Sequence, residues 1–353
     1  MADVVPSAGQ PTASVACVGE AMAVLSPDGG GALEAAQLLR RTVGGAEANV
    51  ARVLSRLGVA ASFVSRVGDD PFGRCVRADL RVNGVDDSAV EVDDERQTGI
   101  YVKAPRPQGS TMYYYRSSSA ATAMGHTFFT RPVVDLTLRT AAIVHTSGIT
   151  AGVLHDPGEL LTALRRSKAA GVLVSVDLNW RPALWCGRTP DALRELLRLA
   201  DVVLLGADEA RSALGTDDPR ELRSMVAPKA TIVVKSAAHE ATGLTPGAEP
   251  VAVPALVVDV AEPVGAGDAF AAGYLAGQVR GLPMAQRLRL GHLCAAMALV
   301  SPDDHAVPPE RAVLDRLVRA SEKEWAAVRV GAGGVSGLSR VVTFGPDRSD
   351  EQP

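Results

Sequence analysis

Glu262-Pro263-Val264-Gly265-Ala266-Gly267-Asp268 runs straight into Ala269-Phe270-Ala271-Ala272-Gly273-Tyr274, placing three small residues and a carboxylate at a helix start. Glycines let backbone N–H groups approach an anion without side-chain interference, and a helix N-terminus adds unpaired donors and a dipole of roughly half a positive charge. Asp268 falls beside that anion hole. A carboxylate there is able to accept the proton of a hydroxyl attacking a phosphoryl group. A Gly-rich turn with Asp268 as helix N-cap is the competing reading.

Upstream, short β-branched runs recur between helical patterns: Ser14–Val18, Ala61–Val67, Ala142–Thr146, Val172–Asp177, Asp201–Leu205 and Thr231–Lys235. The alternation predicts an α/β fold with a mostly parallel central sheet and crossover helices. Asn49–Leu57 shows the helical half, because Val50, Val53, Leu54 and Leu57 recur at i, i+3, i+4 and i+7, with Asn49 as cap and Gly58 as stop. Two stretches, about 23–43 and 89–116, break the alternation. In the second, Thr98–Lys103 and Thr111–Arg116 read as hairpin strands around Pro105-Arg106-Pro107-Gln108-Gly109. Together they predict a small β-sheet lid over one end of the sheet, with ordinary surface excursions as the alternative. The expected organisation is one domain over 14–325 carrying the lid, between disordered tails at 1–13 and 326–353. Gly331-Ala332-Gly333-Gly334 reads as a linker.

With 353 residues, 47% hydrophobic and 22% charged, the composition is that of a soluble globular protein long enough to bury a sizeable core. A net charge of −4 and a pI near 5.9 supply no basic field for nucleic acid or anionic lipid. No basic leader precedes an apolar core, and no run approaches the ~20 apolar residues of a membrane span. Cys17, Cys75, Cys186 and Cys294 lie far apart, which suits a reducing cytoplasm and excludes a structural zinc site. The histidines are scattered and none is nominated for catalysis. GxxxxGK[ST] is absent, which excludes a P-loop nucleotidase.

Val43-Gly44-Gly45-Ala46-Glu47-Ala48-Asn49 opens the Asn49 helix, where backbone at Gly44 and Gly45 can approach a polyol and Asn49 can bond a hydroxyl. Paired with the downstream GAGD element, it resembles the two hallmark motifs of the ribokinase-like sugar kinases, the PfkB family. The resemblance covers roughly Val15 to Leu317. It implies a three-layer sandwich with a β lid, and an ATP- and Mg²⁺-dependent kinase acting on a primary hydroxyl of a sugar, sugar acid or nucleoside. In that family the residue matching Asp268 is the general base, and the amides of Gly265, Ala266 and Gly267 stabilise the transferring phosphoryl group. Lys235, Ser236 and Ala238, with Gly265 and Gly267, fall on the nucleotide side. Glu209 stands where the family organises Mg²⁺ through water, although a helix N-terminal carboxylate is equally at home there. Family lids that pair between subunits imply a homodimer.

Four further segments resemble the 2-keto-3-deoxygluconate kinases: Thr98-Gly99-Ile100-Tyr101, Tyr113-Tyr114-Tyr115-Arg116 with Ser119-Ala120, His145-Thr146-Ser147-Gly148-Ile149-Thr150, and Asp177-Leu178-Asn179-Trp180-Arg181-Pro182-Ala183-Leu184-Trp185. The resemblance assigns Gly45, Tyr101, Tyr114, Arg116, Ile149 and Arg181 to the substrate pocket. A guanidinium fork suits a carboxylate, so Arg116 and Arg181 favour an acidic sugar. Internal ion pairs for the arginines, and lid packing or a dimer contact for the tyrosines, are the competing readings. Asp177 and Asn179 close an apolar strand, where they either join the site or only shape the turn. Asp304, in Pro302-Asp303-Asp304-His305, matches a pocket acid.

Three positions depart from the family pattern. Lys235-Ser236-Ala237-Ala238-His239-Glu240 replaces both glycines of a KxGxxG loop, Glu262 replaces an Asp, and Gly206 replaces the Asn of NxxE. Their effect falls on nucleotide affinity, donor identity and monovalent-cation dependence. A neutral-sugar kinase such as a fructokinase, a nucleoside kinase, and a catalytically weak sugar-binding regulator remain the alternatives.

Overall fold

The run Val15–Val18 is apolar at every position because both of its faces are covered: Val15 and Cys17 enter one core, Ala16 and Val18 the other. The computed structural model, which describes residues 14–106, 109–187, 189–261, 263–301 and 311–337, extends this pattern across a wide sheet. Its strands are β1 (Val15–Val18), β2 (Met22–Pro27), β3 (Leu39–Gly44), β4 (Ala61–Gly68), β5 (Val90–Asp93), β6 (Ile100–Arg106), β7 (Gly109–Tyr115) and β8 (Ile143–Ser147). The second half adds β9 (Leu173–Asp177), β10 (Val202–Gly206), β11 (Thr231–Ser236), β12 (Glu240–Leu244), β13 (Val251–Pro254), β14 (Val257–Val258), β15 (Arg329–Gly331) and β16 (Gly334–Ser336).

Nine strands form the central sheet in the order β13-β12-β11-β10-β9-β8-β1-β4-β5. It is parallel from β11 to β5, while β12 and β13 are antiparallel at one edge. The helices Ala46–Arg56, Ala266–Val279 and Met284–Val300 cover one face. Pro157–Ala169 and Asp191–Leu199 cover the other, completing three layers. Small residues let two of these helices lie close, since a Cβ on Gly273 would strike the Leu290 backbone and one on Gly291 the Phe270 ring. No helix among the described residues is long and apolar enough to cross a membrane.

Connections diverge from the centre of the sheet: β4 and β5 build outward from one side of β1, and β8 to β11 from the other. The crevice outside the carboxyl ends at such a switch point is where an open α/β sheet takes its ligand. Glu20, Ser147, Asp177, Gly206 and Lys235 lie at those ends. The lid is a separate four-stranded sheet, ordered β3-β2-β6-β7.

Several sequence expectations shift. The Asn49 helix begins at Ala46 with Gly45 as its N-cap, so Asn49 sits inside the first turn; the small residues before Val50 carried no apolar period to reveal it. Asp268 is likewise within its helix, and Gly265, left-handed at φ 82°, is the N-cap. Val90–Asp93 joins the edge of the central sheet beside β4 and leaves the lid to the residues after it. The lid hairpin pairs Ile100–Arg106 with Gly109–Tyr115, so Pro105 and Arg106 belong to a strand. The chain after 326 is no tail as far as 337. There β15 and β16 pair around the Gly331–Gly334 turn and join β14, with Val330 and Val335 buried in the core. Two valines among glycines are too few to register as a strand pattern. Residues 1–13 and 338–353 lie outside the described residues.

Candidate active site

Asp268 stands in the first turn of the Ala266–Val279 helix, half-buried at the foot of a cleft of about 800 Å³ between the strand ends and the lid. The first amides of any helix lack intrahelical acceptors, and here Gly265 and Gly267 border the cleft. The position of a Cβ on Gly267 is approached only by Lys235 Nζ, at 3.8 Å. The helix end is therefore open to an anion and has an ammonium beside it.

Two amides hold the Asp268 carboxylate. Asn49 Nδ2 donates to Oδ2 at 2.9 Å, and Asn179 Nδ2 approaches Oδ1 at 3.5 Å. Asn179 is one of two described non-glycine residues with positive φ, at 35°, a conformation that asparagine tolerates better than most. Burial pushes the Asp268 pKa up to about 7; the charges of Asp177 and Glu47 add to the rise, while the Asn49 bond and Lys235 oppose it. A base poised near 7 is suited to proton transfer at neutral pH.

Beside it, Lys235 Nζ is 2.8 Å from Asp177 Oδ2. Burial works against the lysine charge, but Asp177, Glu209 and Asp268 together hold its pKa above the ordinary value. Asp177 Oδ1 is buried without a hydrogen-bond partner among the described residues. Glu209 accepts the Gly206 N–H at 3.2 Å, and its pKa is raised by burial and by the Asp177 charge.

The opposite wall comes from the lid and from the segment after β9. Tyr101, Tyr114, Arg116, Ile149 and Arg181 border the cleft, as do Gly45 and Asn49. Arg116 Nη1 is 3.0 Å from the buried Glu20 Oε2, whose other oxygen accepts the Ser119 hydroxyl at 2.5 Å. Arg116 is thus committed to an internal carboxylate. Arg181 Nη1 donates to the Trp180 carbonyl at 3.1 Å, its contact with the Glu209 carboxylate is long at 3.5 Å, and the side chain is half-exposed. Gly44 is not in the cleft; its missing side chain makes room for the Tyr101 hydroxyl.

Ser236 and Ala238 do not border the cleft, and Asp304 and Glu262 lie outside the described residues. The altered loop leaves Ala237 in the left-handed region at φ 48°, where the family pattern has glycine. Glu240 lies on the same face of β12 as Thr242, opposite the buried Ala241, which enters the core on the face covered by the Ala266–Val279 and Met284–Val300 helices. Its carboxylate accepts the Thr242 hydroxyl at 3.1 Å on the other face of the sheet.

Residues 12–310 match the family model described as pfkB family carbohydrate kinase. The chain belongs to that family. As a pfkB kinase it is a phosphotransferase acting on a sugar hydroxyl. It is 32% identical over 315 residues to 2-dehydro-3-deoxygalactonokinase of Haloferax volcanii, covering 83% of this chain and 95% of the relative. It is 32% identical over 312 residues to 2-dehydro-3-deoxygluconokinase of Thermoproteus tenax, covering 84% and 92%. Among solved structures, a fructokinase with bound ATP from Xylella fastidiosa superposes with a TM-score of 0.71 at 26% identity, covering 83% of this kinase and 94% of that chain.

Sequence reasoning missed Glu20, Glu47 and Arg52. Glu20 had a usable signal, because it follows β1 at the carboxyl edge of the sheet. Glu47 is buried at the start of the Ala46–Arg56 helix and accepts the Ser147 and Thr150 hydroxyls at 2.5 and 2.6 Å. Arg52 lies on the side of its helix away from the apolar stripe, so no periodic signal singles it out.

Proposed function

We propose that the kinase transfers the γ-phosphate of ATP to a terminal hydroxyl of an acidic sugar such as 2-keto-3-deoxygluconate. Asp268 takes the hydroxyl proton as that oxygen forms its bond to phosphorus, and the bridging oxygen leaves with ADP. The amides of Gly265, Ala266 and Gly267 carry charge on the transferring group. The observation that carries this reading is the half-buried carboxylate, with pKa about 7, in the first turn of a helix whose amides border the same cleft. ATP as donor is supported by the bound ATP of the Xylella fastidiosa fructokinase.

Asp177, with its orphaned buried oxygen, and Glu209 fit a hydrated Mg²⁺, which takes one or two carboxylates and completes its shell with water and phosphate. When bound, it neutralises phosphate charge. Lys235 stays with Asp177 and reaches the anion hole from the side. The exposed tyrosines of edge strand β7, Tyr113 and Tyr115, suit the lid-to-lid dimer of the same reading. Analytical ultracentrifugation showing a monomer at micromolar concentration would sink that part.

The acidic substrate rests on Arg181, since an exposed pair at 3.5 Å is worth little and is readily exchanged for a substrate carboxylate. A neutral sugar such as fructose is the second reading, favoured by the commitment of Arg116 to Glu20. A coupled assay of ADP release separates the two. With 2-keto-3-deoxygluconate preferred over fructose, Arg181→Ala should raise KM for the acid by about tenfold or more and leave fructose unchanged. Preference for fructose, unaffected by the substitution, would overturn the acidic-sugar reading.

A further inference from the structure

The Ala46–Arg56 helix buries an arginine that substrate binding does not use. Arg52 is 2% exposed and is among the largest fully buried side chains. Its Nε lies 2.7 Å from Asp79 Oδ2 on the helix Pro71–Val82, and its Nη2 donates to the Val43 carbonyl at 3.1 Å. Its Nη1 donates to Asn49 Oδ1 at 2.9 Å. A guanidinium has donors only, so the Asn49 oxygen must face it. That leaves the Asn49 amide nitrogen facing Asp268 Oδ2, where it donates at 2.9 Å.

We propose that Arg52 is a positioning residue for Asp268, acting through the Asn49 side chain. The proposal rests on the reading of Asp268 as base. The relay Asp79, Arg52, Asn49, Asp268 ties three helices together and fixes both the rotamer of the base and the flip of the amide beside it. With Oδ2 occupied, Oδ1, which has only the long Asn179 contact, is the oxygen left for the incoming hydroxyl. Asn49 accordingly serves the base, whatever its second N–H meets in the cleft.

The relay makes a prediction that a structural or sugar-binding role does not. The charged groups facing Asp268 are Asp177 at the end of β9, Lys235 on β11 and Glu47 on the Asn49 helix. Asn49→Ala leaves all three in place, and it removes the donor that favours the ionised base together with the acceptor that holds Arg52. It should cut kcat about tenfold or more, since a misaligned group loses catalysis steeply. It should also move the midpoint of the pH–rate profile upward by about one unit, a change that loss of a sugar contact alone does not cause. Arg52→Lys, which keeps the charge but not the fork, should move kcat and midpoint in the same direction to a smaller extent. Should Arg52→Lys fail to fold, Asn49→Ala carries the test alone. A raised sugar KM in Asn49→Ala with kcat and midpoint unchanged would overturn the relay. Retained turnover in Asp268→Asn would remove the base, and the relay with it. Lost turnover there, combined with an unaltered Asn49→Ala profile, would overturn the relay alone.

Discussion

Replacing Asp268 with Asn should abolish turnover and, at alkaline pH, stabilise the fold. The Asp268 carboxyl binds its proton more tightly in the folded state, where its pKa rises from 3.8 to about 7. Its contribution to stability is therefore greatest below pH 3.8 and is lost as pH rises through 7, where the folded protein must carry the charge in a desolvated place. A rise of that size corresponds to about 4 kcal/mol at most. Solvent reaching the half-buried carboxyl reduces this to ~1–2 kcal/mol. Asn keeps the shape and offers its oxygen to Asn49, so the variant avoids the charge without opening a cavity. At pH 8 its Tm should exceed the parent's by about 2–4 °C. By pH 5 roughly half of that gain or less should remain, because the folded parent is then protonated. Differential scanning fluorimetry of both proteins across this range measures the difference directly. A variant less stable than the parent at pH 8, or a Tm gap that does not change with pH, would refute the reasoning.

Other consequences are as direct. With the base at about 7, kcat/KM should rise about tenfold between pH 6 and 8 and then level off; a flat profile over this range would show either another base or an unperturbed carboxyl. Ala237→Gly should stabilise the protein by about 0.5–1 kcal/mol, because this exposed turn holds alanine at φ 48°; an unchanged or lower Tm would mean the turn carries no strain. ATP should raise Tm only when Mg²⁺ is present, since Asp177, Glu209 and Asp268 place three carboxylates around one ammonium. An equal rise in excess EDTA would contradict that charge balance.

The strands were legible because parallel strands buried on both faces read as unbroken apolar runs, and β1, β4, β8, β9, β10 and β11 each fall within a residue or two of the expected span. The GAGD stretch was legible for a different reason: few roles other than a helix start require small residues in sequence before a carboxylate. What stayed hidden is long-range pairing. Glu20 and Arg116 are separated by 96 positions, and no local pattern in either neighbourhood signals that they meet. Arg52 sits on the face of its helix that looks solvated by periodicity, yet the helix Pro71–Val82 brings Asp79 against it and buries it. A charge pattern reads as exposure until its partner is known. The same limit placed Asn49 at a helix cap, since the alanines before Val50 have helix propensity but no period.

On the proposed reading, the pairing of charges around Asp268 decides what each carboxylate of the cleft can do. Counting residues alone, one lysine among Asp177, Glu209 and Asp268 would stabilise each anion in part. In the folded protein Lys235 binds Asp177 at 2.8 Å, so its ammonium is paired first with a neighbour of Asp268. Asp268 takes its hydrogen bonds from neutral amides, Lys235 acts on it through charge alone, and burial governs its proton affinity. The two carboxylates on strand end and helix start are thereby pushed apart in role: Asp177 is held by an ammonium, and Asp268 is left able to take up and release a proton near neutrality. Glu240 does not disturb this division, because its side chain leaves the sheet on the face opposite the helix that carries Asp268.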